Sequence, residues 1–198
     1  MSQTVDYYVS LSSPFTYMGH ARLYEIAAKH GATVNAKVMN LATIFPKTGG
    51  LPLLKRAPER RAYRMMELKR WRAHLDVELT LEPKFFPVDE RPAARMVIAA
   101  EIGGLDHTAL IAAYLHAVWA EERDIADAKT VIAIADEQGL DGAALARVAE
   151  TPPVEDRYAA HTEEALAKGV FGAPAYVYRD ELFWGQDRLD FLDHALAG

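Results

Sequence analysis

Cysteine does not occur in the 198 residues. Without a thiol the chain cannot close a disulfide, run thiol–disulfide exchange, use a cysteine nucleophile or bind a metal through thiolates, whatever its fold. Long hydrophobic runs are missing too: nothing approaches the roughly 18 apolar residues that a membrane-spanning helix needs. The apolar stretch from Val5 to Leu11 is too short and too soon interrupted to act as a signal peptide, so the cytoplasm is the expected location. Nor is there an excess of positive charge. Lysine plus arginine number 22 against 28 acidic residues, for a formal charge of -6. That balance gives no general reason to expect nucleic acid, although a local basic patch can still hold a small anion. The seven histidines include no close pair with ligand spacing, and no metal is expected.

What is present is enough apolar material, 51% of residues, for a substantial core. Val5–Val9 is rich in β-branched and aromatic residues and reads as a buried strand. A polar turn, Ser10–Ser13, follows. Ser13 before Pro14 suits an N-cap and first helical position, and the apolar spacing of Phe15, Met18, Leu23 and Ile26 carries a helix to about Lys29, ended by Gly31. Thr33–Met39 reads as a second strand. Between Asn40 and Pro58 the periodicity fails among Pro46, Gly49, Gly50, Pro52 and Pro58, which predicts a long irregular segment of the kind that often forms site loops.

A helical block follows, predicted near Glu59–Leu75, Ala93–Ile102, Asp106–Trp119, Ala128–Glu137 and Asp141–Ala149. Pro152 and Pro153 are expected to interrupt it before a last helix over Val154–Lys168. Ala175–Tyr178 and Leu182–Trp184 then read as a hairpin turning at Arg179–Glu181, and Asp187–Ala197 as a final amphipathic helix. The simplest architecture joins the two ends of the chain in one mixed α/β domain, residues 1–55 and 169–198, with an all-helical domain, 56–168, inserted between them.

The segment Tyr7-Tyr8-Val9-Ser10-Leu11-Ser12-Ser13-Pro14-Phe15-Thr16-Tyr17 resembles the start of the glutathione-dependent 2-hydroxychromene-2-carboxylate isomerases and their relatives, the kappa-class glutathione transferases. The likeness continues through Ile44-Phe45, Arg70-Trp71, Phe86-Pro87 and Arg123-Asp124-Ile125. It is strongest in Gly169-Val170-Phe171-Gly172-Ala173-Pro174 and in Phe183-Trp184-Gly185-Gln186-Asp187-Arg188-Leu189. It implies a thioredoxin-like domain with a helical insertion, as in DsbA, and a cytoplasmic homodimer that uses glutathione on a small aromatic carboxylate.

The resemblance also assigns roles. Ser13 takes the position of the catalytic serine, its hydroxyl favouring the glutathione thiolate; from the residues alone it is equally an N-cap. Ala173-Pro174 matches a cis-proline motif whose backbone pairs with the cysteinyl part of glutathione, where an ordinary turn is the bland alternative. Gln186 and Asp187 match positions that hold the γ-glutamyl end, although Asp187 also suits the N-cap of the last helix. Phe15, Gly50 and Trp184 are weaker candidates for substrate contact. The chain differs from the family pattern at Ser10, Pro46, Gly50, Phe85 and Asp89. The activity implied is cis–trans isomerisation through reversible thiolate addition. Conjugation of glutathione, as in a transferase, and a non-catalytic glutathione- or protein-binding module are the alternatives. Arg56, Arg60, Arg61, Arg64, Lys69, Arg70 and Arg72 form a basic cluster that reads first as a solvated helix face, part of which could hold an aromatic carboxylate.

Overall fold

The structure, a computed structural model, describes residues 3–198; Met1 and Ser2, part of the expected segment 1–55, lie outside the described residues. The chain opens as β1 (Thr4–Val9), α1 (Pro14–His30) and β2 (Thr33–Val38). Helices α2 (Leu41–Thr48), α3 (Pro58–Leu75), α4 (Arg91–Ile102), α5 (Thr108–Trp119), α6 (Ala128–Glu137), α7 (Gly142–Ala149) and α8 (Pro152–Ala167) come next. It closes with β3 (Ala175–Tyr178), β4 (Glu181–Trp184) and α9 (Leu189–Ala197). The strands form one sheet in the order β2-β1-β3-β4, with β1 and β2 parallel and the other neighbours antiparallel. The two ends of the chain thus share a sheet and the helical block lies between them in sequence. None of the described helices is long and apolar enough to cross a membrane.

β1 is central, and both of its faces are covered, which is why it reads as a continuous apolar run rather than an alternating one. Val5, Tyr7 and Val9 enter a core shared with α1, α9 and the helical block, while Tyr8 joins Met39, Ile44, Ala165, Ala175 and Val177 on the opposite side. Each aliphatic side chain buried there contributes roughly 1.5–3 kcal/mol. Tyr7 faces Tyr176 across the β1–β3 ladder, the rings stacked with centroids 5.3 Å apart.

The local signals act as their chemistry requires. Gly31 closes α1 in the left-handed region at φ 63, where its N–H reaches the Ala27 and Ala28 carbonyls. The β3–β4 turn is tighter than Arg179–Glu181: Glu181 already pairs with Tyr178, and Arg179 and Asp180 alone turn, at φ 50 and 63.

Three further expectations are corrected. The segment after β2 is not wholly irregular, because α2 occupies Leu41–Thr48. Asn40 caps it, its Oδ1 accepting from Ala42 N at 2.9 Å, and Gly49 ends it at φ 79. Pro46 is tolerated because so short a helix loses only one interior hydrogen bond there, while Ile44 gains full burial against the sheet. Pro152 and Pro153 do not interrupt the helical block. They occupy the first turn of α8, where a missing N–H costs nothing. Finally, Asp187 does not cap the last helix: Gln186–Arg188 form a short 3-10 turn, and α9 begins at Leu189 without a side-chain cap.

Candidate active site

The sheet delivers β1 into the Ser10–Ser13 turn and α1 departs from it, so Ser13 stands at a helix N-terminus where the exposed N–H dipoles favour negative charge. Its backbone is extended, φ -86 and ψ 122. The hydroxyl oxygen accepts from Thr16 N at 3.2 Å, and the hydroxyl donates to the Ala173 carbonyl at 3.3 Å. Ser13 therefore caps α1 and faces the loop before β3. The Ala173–Pro174 bond is cis, as is Phe86–Pro87. Pro174 in turn accepts from Gly185 N at 2.9 Å, which ties the proline loop to the Gly185–Asp187 segment.

Gln186 is buried in that segment, only 1% exposed. Arg22 of α1 donates to its Oε1 at 2.9 Å. A guanidinium has only donors, so it fixes the amide with oxygen toward Arg22 and nitrogen turned away; Nε2 is buried without a partner. Asp187 is exposed and pairs with Arg188 at 3.0 Å, while its Oδ1 occupies the space that a side chain on Gly185 would need. Gly185 also sits at φ 103, so two constraints require glycine there. Ser13, Ala173, Pro174, Gln186 and Asp187 are thus joined through direct contacts and one short segment.

The weaker candidates divide. Trp184 is half exposed, with its ring 4.7 Å from that of Phe171 and its indole nitrogen over Gly172, so it covers the loop leading to Ala173. Phe15 is half-buried in the first turn of α1 and packs on the main core. Gly50 lies against the Phe45 ring, which fills the place of a side chain there; its glycine is accounted for by that packing.

Sequence reasoning missed Glu90. This buried carboxylate immediately precedes α4 and accepts from the Ser10 hydroxyl at 2.9 Å and the Ser12 backbone N–H at 2.6 Å, so it fixes the turn that presents Ser13. Burial pushes its pKa up, against the hydrogen bonds from Ser12 and Ser10. Its position in sequence resembles an ordinary acid at a helix start, and no local pattern links it to a turn so far away in the chain. Arg22 was missed for the same reason. A cavity of about 450 Å³ lies elsewhere, beside α1, α5 and α6, lined by Tyr17, His20, Ala112, His116 and Ile134. It excludes Ser13, Ala173 and Gln186; the convergent polar atoms, rather than this cavity, mark the candidate site. Among the described residues no group of three or more His, Asp or Glu is arranged to hold a metal.

Comparison with known proteins agrees with this architecture. The sequence profile of the DsbA-like thioredoxin domain matches residues 4–197. A 2-hydroxychromene-2-carboxylate isomerase of Sphingobium xenophagum is 30% identical over 198 residues, covering 99% of each chain. Another, of Pseudomonas putida, is 31% identical over 200 residues, covering 98% of this chain and 94% of the relative. A solved 2-hydroxychromene-2-carboxylate isomerase structure superposes with a TM-score of 0.83 at 27% identity, covering 98% of this chain and 94% of that one. The chain belongs to the DsbA-like thioredoxin-domain family and, within it, to the family of the 2-hydroxychromene-2-carboxylate isomerases.

Proposed function

We propose that the protein is a glutathione-dependent isomerase that interconverts 2-hydroxychromene-2-carboxylate, or a related intermediate of aromatic breakdown, with its ring-opened trans-(2-hydroxybenzylidene)pyruvate isomer. The observation that carries this reading is the Ser13 hydroxyl, held between the α1 N-terminus and the Ala173 carbonyl. Its bond to that carbonyl, at 3.3 Å, is long for a hydroxyl donor. A thiolate sulfur is a charged acceptor, to which the hydroxyl hydrogen can turn with gain.

The residues present fit glutathione. Gln186 Nε2 is a buried donor in need of an acceptor, which the γ-glutamyl carboxylate supplies, and Asp187 offers a carboxylate to the ammonium. Glutathione brings a nucleophilic thiol whose reversible addition and elimination permits rotation about a conjugated bond. Ser13 and the helix N-terminus lower the cost of the thiolate; each unit by which they depress a thiol pKa from about 8.5 is worth about 1.4 kcal/mol. Glu90 holds the turn at Ser10 and Ser12 so that the Ser13 hydroxyl is already aimed. A cytoplasmic homodimer and a division into 1–55 with 169–198 and 56–168 accompany this reading.

The test is Ser13→Ala, with turnover of 2-hydroxychromene-2-carboxylate measured with and without glutathione. Loss of about 100-fold in kcat/KM, or about 2.7 kcal/mol, is expected, with thermal stabilisation by glutathione retained. Full activity in the variant defeats the role of Ser13. Wild-type conjugation of an electrophile without isomerisation makes the protein a transferase, and glutathione binding without either reaction makes it a binding module.

A further inference from the structure

Arg56 and Arg64 are half-buried cations that form no ion pair among the described residues, whereas Arg70, Arg91, Arg95 and Arg123 each meet a carboxylate. Each packs on an aromatic ring. The Arg64 guanidinium carbon lies 5.3 Å from the Phe86 centroid, and that of Arg56 lies 5.9 Å from the Phe45 centroid while its Nε donates to the Leu51 carbonyl at 2.8 Å. Burial pushes Arg64 down to about 10, and the charge of Arg56 adds to that push. Arg56 is itself lowered, by burial and then by Arg60. Two desolvated like charges near each other are unfavourable, and the aromatic faces offset only part of the cost. An anion between them relieves both.

Their supports are linked along the chain to residues of the candidate site. Phe86 shortly precedes Glu90, whose carboxylate holds the Ser12 N–H. Phe45 follows Ile44, which sits in the same buried cluster that Ala173 packs against. Exposed Tyr63 precedes Arg64 and exposed Phe85 precedes Phe86, and both add apolar surface.

We propose that Arg56 and Arg64 together recognise the carboxylate of an aromatic acid substrate, and so determine specificity for the anionic over the neutral form of that substrate. A carboxylate presents paired oxygens that match the guanidinium fork, which a point charge such as ammonium does not reproduce. Phe45 and Phe86, each packed beneath one guanidinium, hold the forks in place. The proposal rests on the isomerase reading for the identity of the substrate, but binding can be measured without turnover.

Calorimetric titration of the full chain with cinnamate, its neutral isostere cinnamamide and S-methylglutathione tests it. Arg64→Leu and Arg56→Leu are each expected to weaken cinnamate binding about tenfold or more, while cinnamamide and S-methylglutathione bind as they do to wild type. Arg60→Leu, on the exposed face, is expected to change cinnamate affinity less than twofold. If Arg64→Leu fails to fold, Arg64→Gln serves in its place. The proposal is overturned if cinnamate does not bind the wild type, if it binds both leucine variants unchanged, or if cinnamamide binds as tightly. It is equally overturned if S-methylglutathione is the ligand that loses affinity, because the arginines then serve glutathione instead. Cinnamate binding with the expected variant pattern but no isomerisation rejects the isomerase reading and leaves the carboxylate site standing.

Discussion

Tyr7 and Tyr8 are neighbours on β1, both fully buried, yet they point into opposite kinds of interior. The Tyr7 hydroxyl lies 3.3 Å from His20 Nδ1, in a pocket of rings made by Tyr24 and Tyr176, with no charged group among these partners. The Tyr8 hydroxyl donates to Glu164, whose other partner is Lys37, and Lys37 also meets Asp6 at 2.9 Å. On the Tyr7 side burial wins. It raises the Tyr7 and Tyr176 pKa values and lowers His20 to about 4, against a smaller opposing pull from the Thr108 backbone. On the Tyr8 side burial also disfavours a charged Lys37, but hydrogen bonds to Asp6 and Glu164 outweigh it and the lysine pKa rises. One face of the sheet therefore disfavours charge on its buried groups, and the other favours a charged Lys37 beside two carboxylates near solvent.

The largest effect expected from this contrast is a pH dependence. His20 is neutral when folded and titrates near 6.5 when unfolded, so its contribution is complete above about pH 6.5 and is lost as pH falls through about 4. The loss amounts to about 3 kcal/mol. Denaturant titrations of wild type and His20→Phe at pH 7 and pH 4 measure it; equal pH sensitivity in the two would show that this face is not kept neutral at a cost.

Next is Lys37→Met, which leaves Glu164 and Asp6 without their cation. A destabilisation of about 2 kcal/mol is expected, below that of a fully enclosed pair because both carboxylates reach solvent. An unchanged melting temperature would mean that solvent already neutralises that face. Tyr8→Phe removes one hydrogen bond to the same carboxylate and should cost about 1 kcal/mol, read in the same titrations.

The smallest effect concerns Glu90, a buried acid held by neutral donors at the serine turn. Its folded pKa is raised, so its stabilising contribution is present below its unfolded pKa and lost as pH rises through the folded value. Glu90→Gln is therefore expected to lessen slightly the fall in stability as pH rises above the unfolded glutamate pKa; an unaltered slope there would show that Glu90 does not titrate differently in the fold.

Much of the fold was legible because its signals are local. Ser13-Pro14 and Gly31 bound α1 where the residues themselves require it, and the bounds of α6 are those its flanks suggest. Two of the errors arose from proline. Pro46 lies inside a short helix and Pro152-Pro153 open a long one, and a proline's effect depends on its place in the turn, which the residue alone does not disclose. At the candidate site, the motif residues Ser13, Ala173-Pro174 and Gln186-Asp187 were visible, while Glu90 and Arg22 were not. Their partners lie far along the chain, and nothing in a sequence ties a glutamate before one helix to a turn after the first strand.

By itself the sequence determined a limit on the chemistry that is possible: with no cysteine, the chain has no thiol of its own and cannot form a disulfide. Tertiary structure alone decided which charges have partners, because desolvation and pairing depend on distances across the fold. Glu90 is buried among neutral donors, Lys37 is matched, and Arg56 and Arg64 lack carboxylates for that reason.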